Sequence, residues 1–61
     1  LSHTAVENYI ASHLNASQVQ CNGGNDFTMK HSGDTFTCTA AGGKSFKVTI
    51  ENKKNGSYLV Q

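Results

Sequence analysis

The stretch Cys21-Asn22-Gly23-Gly24-Asn25-Asp26-Phe27-Thr28-Met29-Lys30-His31-Ser32-Gly33-Asp34-Thr35-Phe36-Thr37-Cys38 decides how this chain folds. It is bounded by the only two cysteines in the sequence. Each cysteine lies where apolar and polar residues alternate, in Val19-Gln20-Cys21 and in Phe36-Thr37-Cys38-Thr39-Ala40. Such alternation marks a strand with one buried face. Two such cysteines in a short domain predict a disulfide, Cys21 to Cys38, joining the start of a small sheet to its first long strand. On chain-entropy arguments a bridge closing a loop of this size contributes about 3 kcal/mol. The competing reading is two buried free thiols in a cytosolic protein. Structural zinc suits the pattern poorly, because it takes four ligands and the three His are not spaced from the two Cys in any finger-like pattern.

Working outward, Thr35 to Ala41 and Ser45 to Glu51 read as the two better strands. Phe36, Cys38 and Ala40 share a face in the first, as do Phe46, Val48 and Ile50 in the second. Thr35, Thr37 and Thr39 take the opposite face of the first and Lys47, Thr49 and Glu51 that of the second, as expected for an antiparallel sheet covered on one side. Parity constrains the turn at Gly42-Gly43. A plain two-residue loop would pair Phe36 with Thr49 and set Phe36 and Ile50 on opposite faces. A three-residue loop or a Gly bulge is therefore expected, with Cys38 near Phe46 or Val48. The last strand runs from Ser57 to Gln61 after the turn Asn52-Lys53-Lys54-Asn55-Gly56. A two-residue turn at Asn55-Gly56 points Leu59 inward, whereas a five-residue loop points Tyr58 and Val60 inward. The larger apolar area of Tyr58 and Val60 favours the second.

On the N-terminal side, Gln18 to Cys21 reads as a short strand and Asn22 to Asp26 as a turn. Phe27-Thr28-Met29 is either a short edge strand or an extended loop covering the core. His31 to Asp34 is another turn. Leu1 to Leu14 predicts a helix, with the domain's helical part at about 4–15 and its sheet at about 18–61. Thr4-Ala5-Val6-Glu7 fits a capping box. Val6, Ile10 and Leu14 form an apolar stripe flanked by Tyr9 and His13. Asn15 suits a left-handed helix end. A helix this short needs the sheet to hold it. The expected fold class is α+β: one N-terminal amphipathic helix on one face of a three- to four-stranded antiparallel sheet, stapled by one disulfide.

The sequence has 61 residues, five Lys, four acidic residues, no Arg and a net charge of +1. One domain fits that length, and it buries only about 60% of the surface exposed by its unfolded chain. Arg-free, near-neutral composition argues against a nucleic-acid partner. No apolar run reaches the about 20 residues that span a bilayer, and no signal peptide is visible, as in a mature or excised piece. Abundant Ser, Thr, Asn and Gly, with paired cysteines, lean toward an extracytoplasmic setting, secreted or envelope-anchored.

The order of elements resembles the DUF4333 family, a domain of unknown function in secreted and lipid-anchored envelope proteins of actinobacteria. The resemblance runs from about Val6 to Val60. It rests on the helix with Val6 and Ile10, on Val19-Gln20-Cys21, and on Gly33 ahead of Phe36-Thr37-Cys38-Thr39. A Gly-Gly turn and Phe46-Lys47-Val48-Thr49-Ile50 complete it. Members often carry Pro after the first cysteine, where this chain has Asn22. The resemblance implies a lipoprotein-like envelope setting and brings no activity, catalytic residue or binding residue with it.

Candidate sites are few. His3, His13 and His31 read as surface histidines, not metal ligands. Ser, His and Asp occur without a Gly-x-Ser-x-Gly elbow, and no enzyme activity, cofactor or metal is expected. Lys53 and Lys54 read as a solvated turn. With Lys44 and Lys47 they offer weak attraction to an anionic polymer or lipid surface. Tyr58 and Phe27 read as core or core rim. The expected function is a non-enzymatic binding or sensing module of a bacterial envelope protein. Its partner would be an envelope protein or wall polymer, met on the exposed face at Thr37, Lys47 and Thr49. Membrane association would come only through an anchor in the parent protein. The alternatives are a structural spacer without a specific ligand, and a small inhibitor of an extracellular hydrolase acting through the Asn22 to Asp26 turn.

Overall fold

The computed structural model describes all residues from Leu1 to Gln61. Its elements are α1 (His3–His13), β1 (Gln20–Cys21), a short 3-10 turn (Asn22–Gly24), β2 (Thr35–Ala40), β3 (Lys44–Asn52) and β4 (Ser57–Val60). The four strands form one antiparallel sheet in the order β1-β2-β3-β4. The helix lies on one face of that sheet and contributes Val6 and Ile10 to the core. The α+β expectation therefore holds, with four strands.

The register follows the parity argument. Phe36 stands opposite Val48 and Cys38 opposite Phe46, with Ala40 opposite Lys44. That leaves Ala41-Gly42-Gly43 as a three-residue loop. Gly42 at φ 84° and Gly43 at φ 73° supply its left-handed backbone, which costs glycine nothing in Cβ sterics. In the second hairpin Val48 pairs with Val60 and Ile50 with Tyr58. Tyr58 and Val60 thus turn inward and are half-buried, and Leu59 turns out. An irregularity between Ile50 and Asn52 lets Asn52 meet Ser57. The extra residue carries the strand into its turn without flipping the inward set.

The helix start differs from the expected capping box. Ser2 is the N-cap, and its hydroxyl accepts from the backbone N–H of Ala5 at 3.3 Å. Thr4 lies inside the helix, and the Glu7 carboxylate is engaged elsewhere. The helix ends at His13, short of the expected 15. Leu14 is its C-cap and is 43% exposed, outside the apolar stripe. Asn15 follows in the left-handed region at φ 57°, so the chain turns off the helix axis where Asn tolerates it. Gln18 also has a positive φ of 54° and delays the first strand to Gln20. Phe27 and Met29 are half-buried in an extended loop that covers the core, and no strand forms there. Phe27 instead exchanges backbone hydrogen bonds with Leu1, and its ring lies 4.7 Å from that of Phe36.

The buried core is Val6, Ile10, Cys21, Phe36, Cys38, Val48 and Ile50. Cys21 and Cys38 are disulfide-bonded, with Cα atoms 4.0 Å apart in directly opposed strand positions. Two of the seven buried residues are therefore the halves of one covalent bridge. The disulfide is fully buried and ties the edge strand β1 to β2.

Candidate functional site

One face of the sheet is covered by the helix, and the other carries Thr35, Thr37 and Thr39 on β2 beside Ser45, Lys47 and Thr49 on β3. Thr37 is the cross-strand partner of Lys47, Thr35 of Thr49 and Thr39 of Ser45. Side chains alternate strictly along a strand, so all six fall on one side. Thr37 and Lys47 are exposed and Thr49 is half-buried. The three residues picked out from the alternation thus stand together on the open face. Leu59, 45% exposed, pairs with Thr49 and adds an apolar element to this face. Its place on the face follows once the inward set of β4 is known. No element of the chain packs over this surface. It offers hydroxyls, the Lys47 ammonium, the Leu59 side chain and, at the far end of β3, the exposed Glu51 carboxylate, and the molecule has no enclosed pocket.

A second cluster stands at the other side of the sheet's first edge. The Glu7 Oε2 atom accepts from the Cys21 backbone N–H at 2.9 Å and lies 2.8 Å from His3 Nδ1. Asp26 Oδ1 accepts from the His3 backbone N–H at 3.0 Å and lies 4.0 Å from His3 Nε2. The hydrogen bond from His3, and then the one from Cys21, hold the Glu7 carboxyl below its ordinary value. The bond to Glu7 raises the His3 pKa against a smaller opposing effect of desolvation. His3 is therefore not a free surface histidine but part of a clasp tying the helix to β1. Sequence patterning does not reveal it, because Glu7 and Cys21 are 14 residues apart.

The other histidines stand elsewhere. His13 stacks on Tyr9 with ring centroids 4.2 Å apart, and Tyr9 meets Tyr58 edge-on at 5.6 Å. His31 lies in the turn closed by Asp34, whose carboxylate accepts from the backbone N–H groups of Lys30 and His31. Those bonds lower the Asp34 pKa, the one from His31 most. No three His, Cys, Asp or Glu side chains converge as a ligand set. Lys53 is less free than a solvated turn residue. Its ammonium donates to the Lys30 carbonyl at 3.1 Å and its backbone N–H to the Ser32 hydroxyl. The Asn22 to Asp26 turn is built from left-handed residues, with Asn22, Gly23 and Gly24 at φ 52°, 63° and 84°. The Asn22 and Asn25 amides bond back to the turn's own carbonyls.

The chain matches no protein-family model, no curated protein and no solved structure.

Proposed function

We propose that this chain is a non-enzymatic binding or sensing module of a bacterial cell-envelope protein, of the kind implied by its resemblance to the DUF4333 family. It works outside the cytoplasm and reaches the membrane only through an anchor in its parent protein. The carrying observation is the asymmetry of the sheet. One face is filled by the helix, and the other is an uncovered, hydroxyl-rich surface around Thr37, Lys47 and Thr49. A protein or a wall polymer is met there by hydrogen bonding and by the Lys47 charge. The disulfide supports the compartment, since such bonds persist mainly where the surroundings are oxidising.

Crosslinking in envelope extracts with the Thr37→Ala, Lys47→Ala, Thr49→Ala triple variant tests this reading. In central strands such substitutions cost up to about 1 kcal/mol each, so the variant's circular dichroism is compared with the wild type's before its partners are read. Loss of the crosslinked partner is expected. Retention of every partner would show that this face is not the binding surface. Full function after exchange for an unrelated folded domain would make the chain a spacer.

A further inference from the structure

The sheet has two edges, and the chain treats them differently. At the β1 edge the strand is two residues long and runs straight into the left-handed turn at Asn22. The Cys21 N–H, pointing away from β2, is taken by Glu7. That edge is short and capped, as natural sheets commonly arrange. The β4 edge has no such device. Lys47 and Gln61 exchange both backbone hydrogen bonds, at 2.8 Å each. By the alternation of an antiparallel ladder, Leu59 and Gln61 then face β3, and the N–H and C=O groups of Tyr58 and Val60 point outward. No loop or turn bond reaches those four groups. Ser57-Tyr58-Leu59-Val60-Gln61 carries no charge and no Pro, and its irregular pairing lies beyond it at Asn52.

We propose that this edge pairs with the same edge of a second copy of the chain, antiparallel and centred on Leu59. The strand is self-complementary in that register. A two-fold axis through Leu59 sets Tyr58 of each copy opposite Val60 of the other. The outward donors and acceptors of one strand then meet those of its counterpart. The two Leu59 side chains fall in the closely spaced, non-bonded position, about 4.5 Å apart at Cα, and cover one another on the open face. Tyr58 and Val60 meet on the helix side, an aromatic residue beside a β-branched one. No like charges oppose each other in this register, because no side chain of the strand is charged and Gln61 falls opposite Ser57. Both helices end on one side of a continuous eight-stranded sheet, and both Thr-rich faces on the other. An unrelated extended peptide could use the same edge. What favours a second copy is the chemistry of the pairs this register makes, Leu59 on Leu59 and Tyr58 on Val60 with no charged side chain among them.

Sedimentation velocity on the 61-residue chain over a concentration series reads this directly. The wild type is expected to shift from monomer toward dimer as concentration rises. Val60→Pro removes an N–H that the monomer does not use, at an edge position where Pro is tolerated. Leu59→Lys places like charges opposite each other across the axis. Each variant is expected to weaken dimerisation at least tenfold while keeping the wild-type circular dichroism. If Val60→Pro perturbs the fold, Leu59→Lys alone decides. A wild type that stays monomeric up to about 1 mM overturns the proposal and leaves the edge to a foreign strand or to none. So does a dimer that both folded variants retain at wild-type strength.

Discussion

Glu7 links three parts of the chain with one carboxylate. It orients His3 on its own helix and caps the Cys21 N–H on the first strand, while Asp26 meets His3 from the loop. Its pH dependence has two limbs. The Glu7 pKa lies below its ordinary value in the folded state, so its stabilisation is present above that value, 4.5, and is lost as pH falls through the lowered one. The His3 pKa is raised, so its stabilisation is complete below the ordinary value, 6.5, and is lost as pH rises through the raised one. The clasp is therefore strongest between these two ordinary values. Thermal denaturation against pH is expected to show a shallow maximum there. Glu7→Gln should weaken the decline on the alkaline side, leaving only the part that Asp26 sustains. It should soften the decline on the acid side without abolishing it, because the lowered Asp34 carboxyl still titrates there. An unchanged profile in the variant would mean that the clasp contributes no pH dependence.

The hairpins show what residue order alone can determine about an element. Phe36, Cys38, Val48 and Ile50 must share a face, and that requirement by itself excludes a two-residue loop at Gly42-Gly43. The observed three-residue loop obeys it. Parity leaves the last strand open between Leu59 and the pair Tyr58 and Val60. The larger apolar area of the pair favours the inward set observed, and a bulge between Ile50 and Asn52 supplies the register in place of the expected five-residue loop. The helix start was less legible, because Ser2 and Thr4 are both hydroxyl residues ahead of the same apolar stripe. Glu7 stands at the capping-box spacing from Thr4, and its true partners include a backbone group on another element. Local spacing cannot rank a bond made across the tertiary structure. Two substitutions test the elements separately. Ile10 is fully buried, and Ile10→Ala is expected to cost about 2–5 kcal/mol in denaturant unfolding. Gly43→Val keeps space around the new Cβ, with nothing within 4 Å, but forces a side chain into left-handed backbone. A cost of about 1–2 kcal/mol is expected from that conformation alone. A Gly43→Val variant as stable as the wild type would show that the loop relaxes to another type.

At the scale of the whole molecule, the apolar layer is thin and the bridge runs through it. Seven residues are buried, and Cys21 and Cys38 are two of them. The pairing and the sheet face at Thr37, Lys47 and Thr49 were both legible, since each follows from alternation along strands. What meets that face is not written in the alternation, because hydroxyls and one ammonium suit many partners. The β4 edge was also invisible until the register was known, since outward and inward backbone groups depend on which residues exchange bonds with β3. The bridge bears most directly on why so small a core holds. Breaking it frees the unfolded chain and also leaves two thiols buried between β1 and β2. Guanidinium unfolding of the chain with and without reductant measures this. The oxidised chain is expected to be more stable by about 3 kcal/mol, a large share of what a domain of this size holds in total. Coincident unfolding curves in the two conditions would contradict the central role of the bond between Cys21 and Cys38.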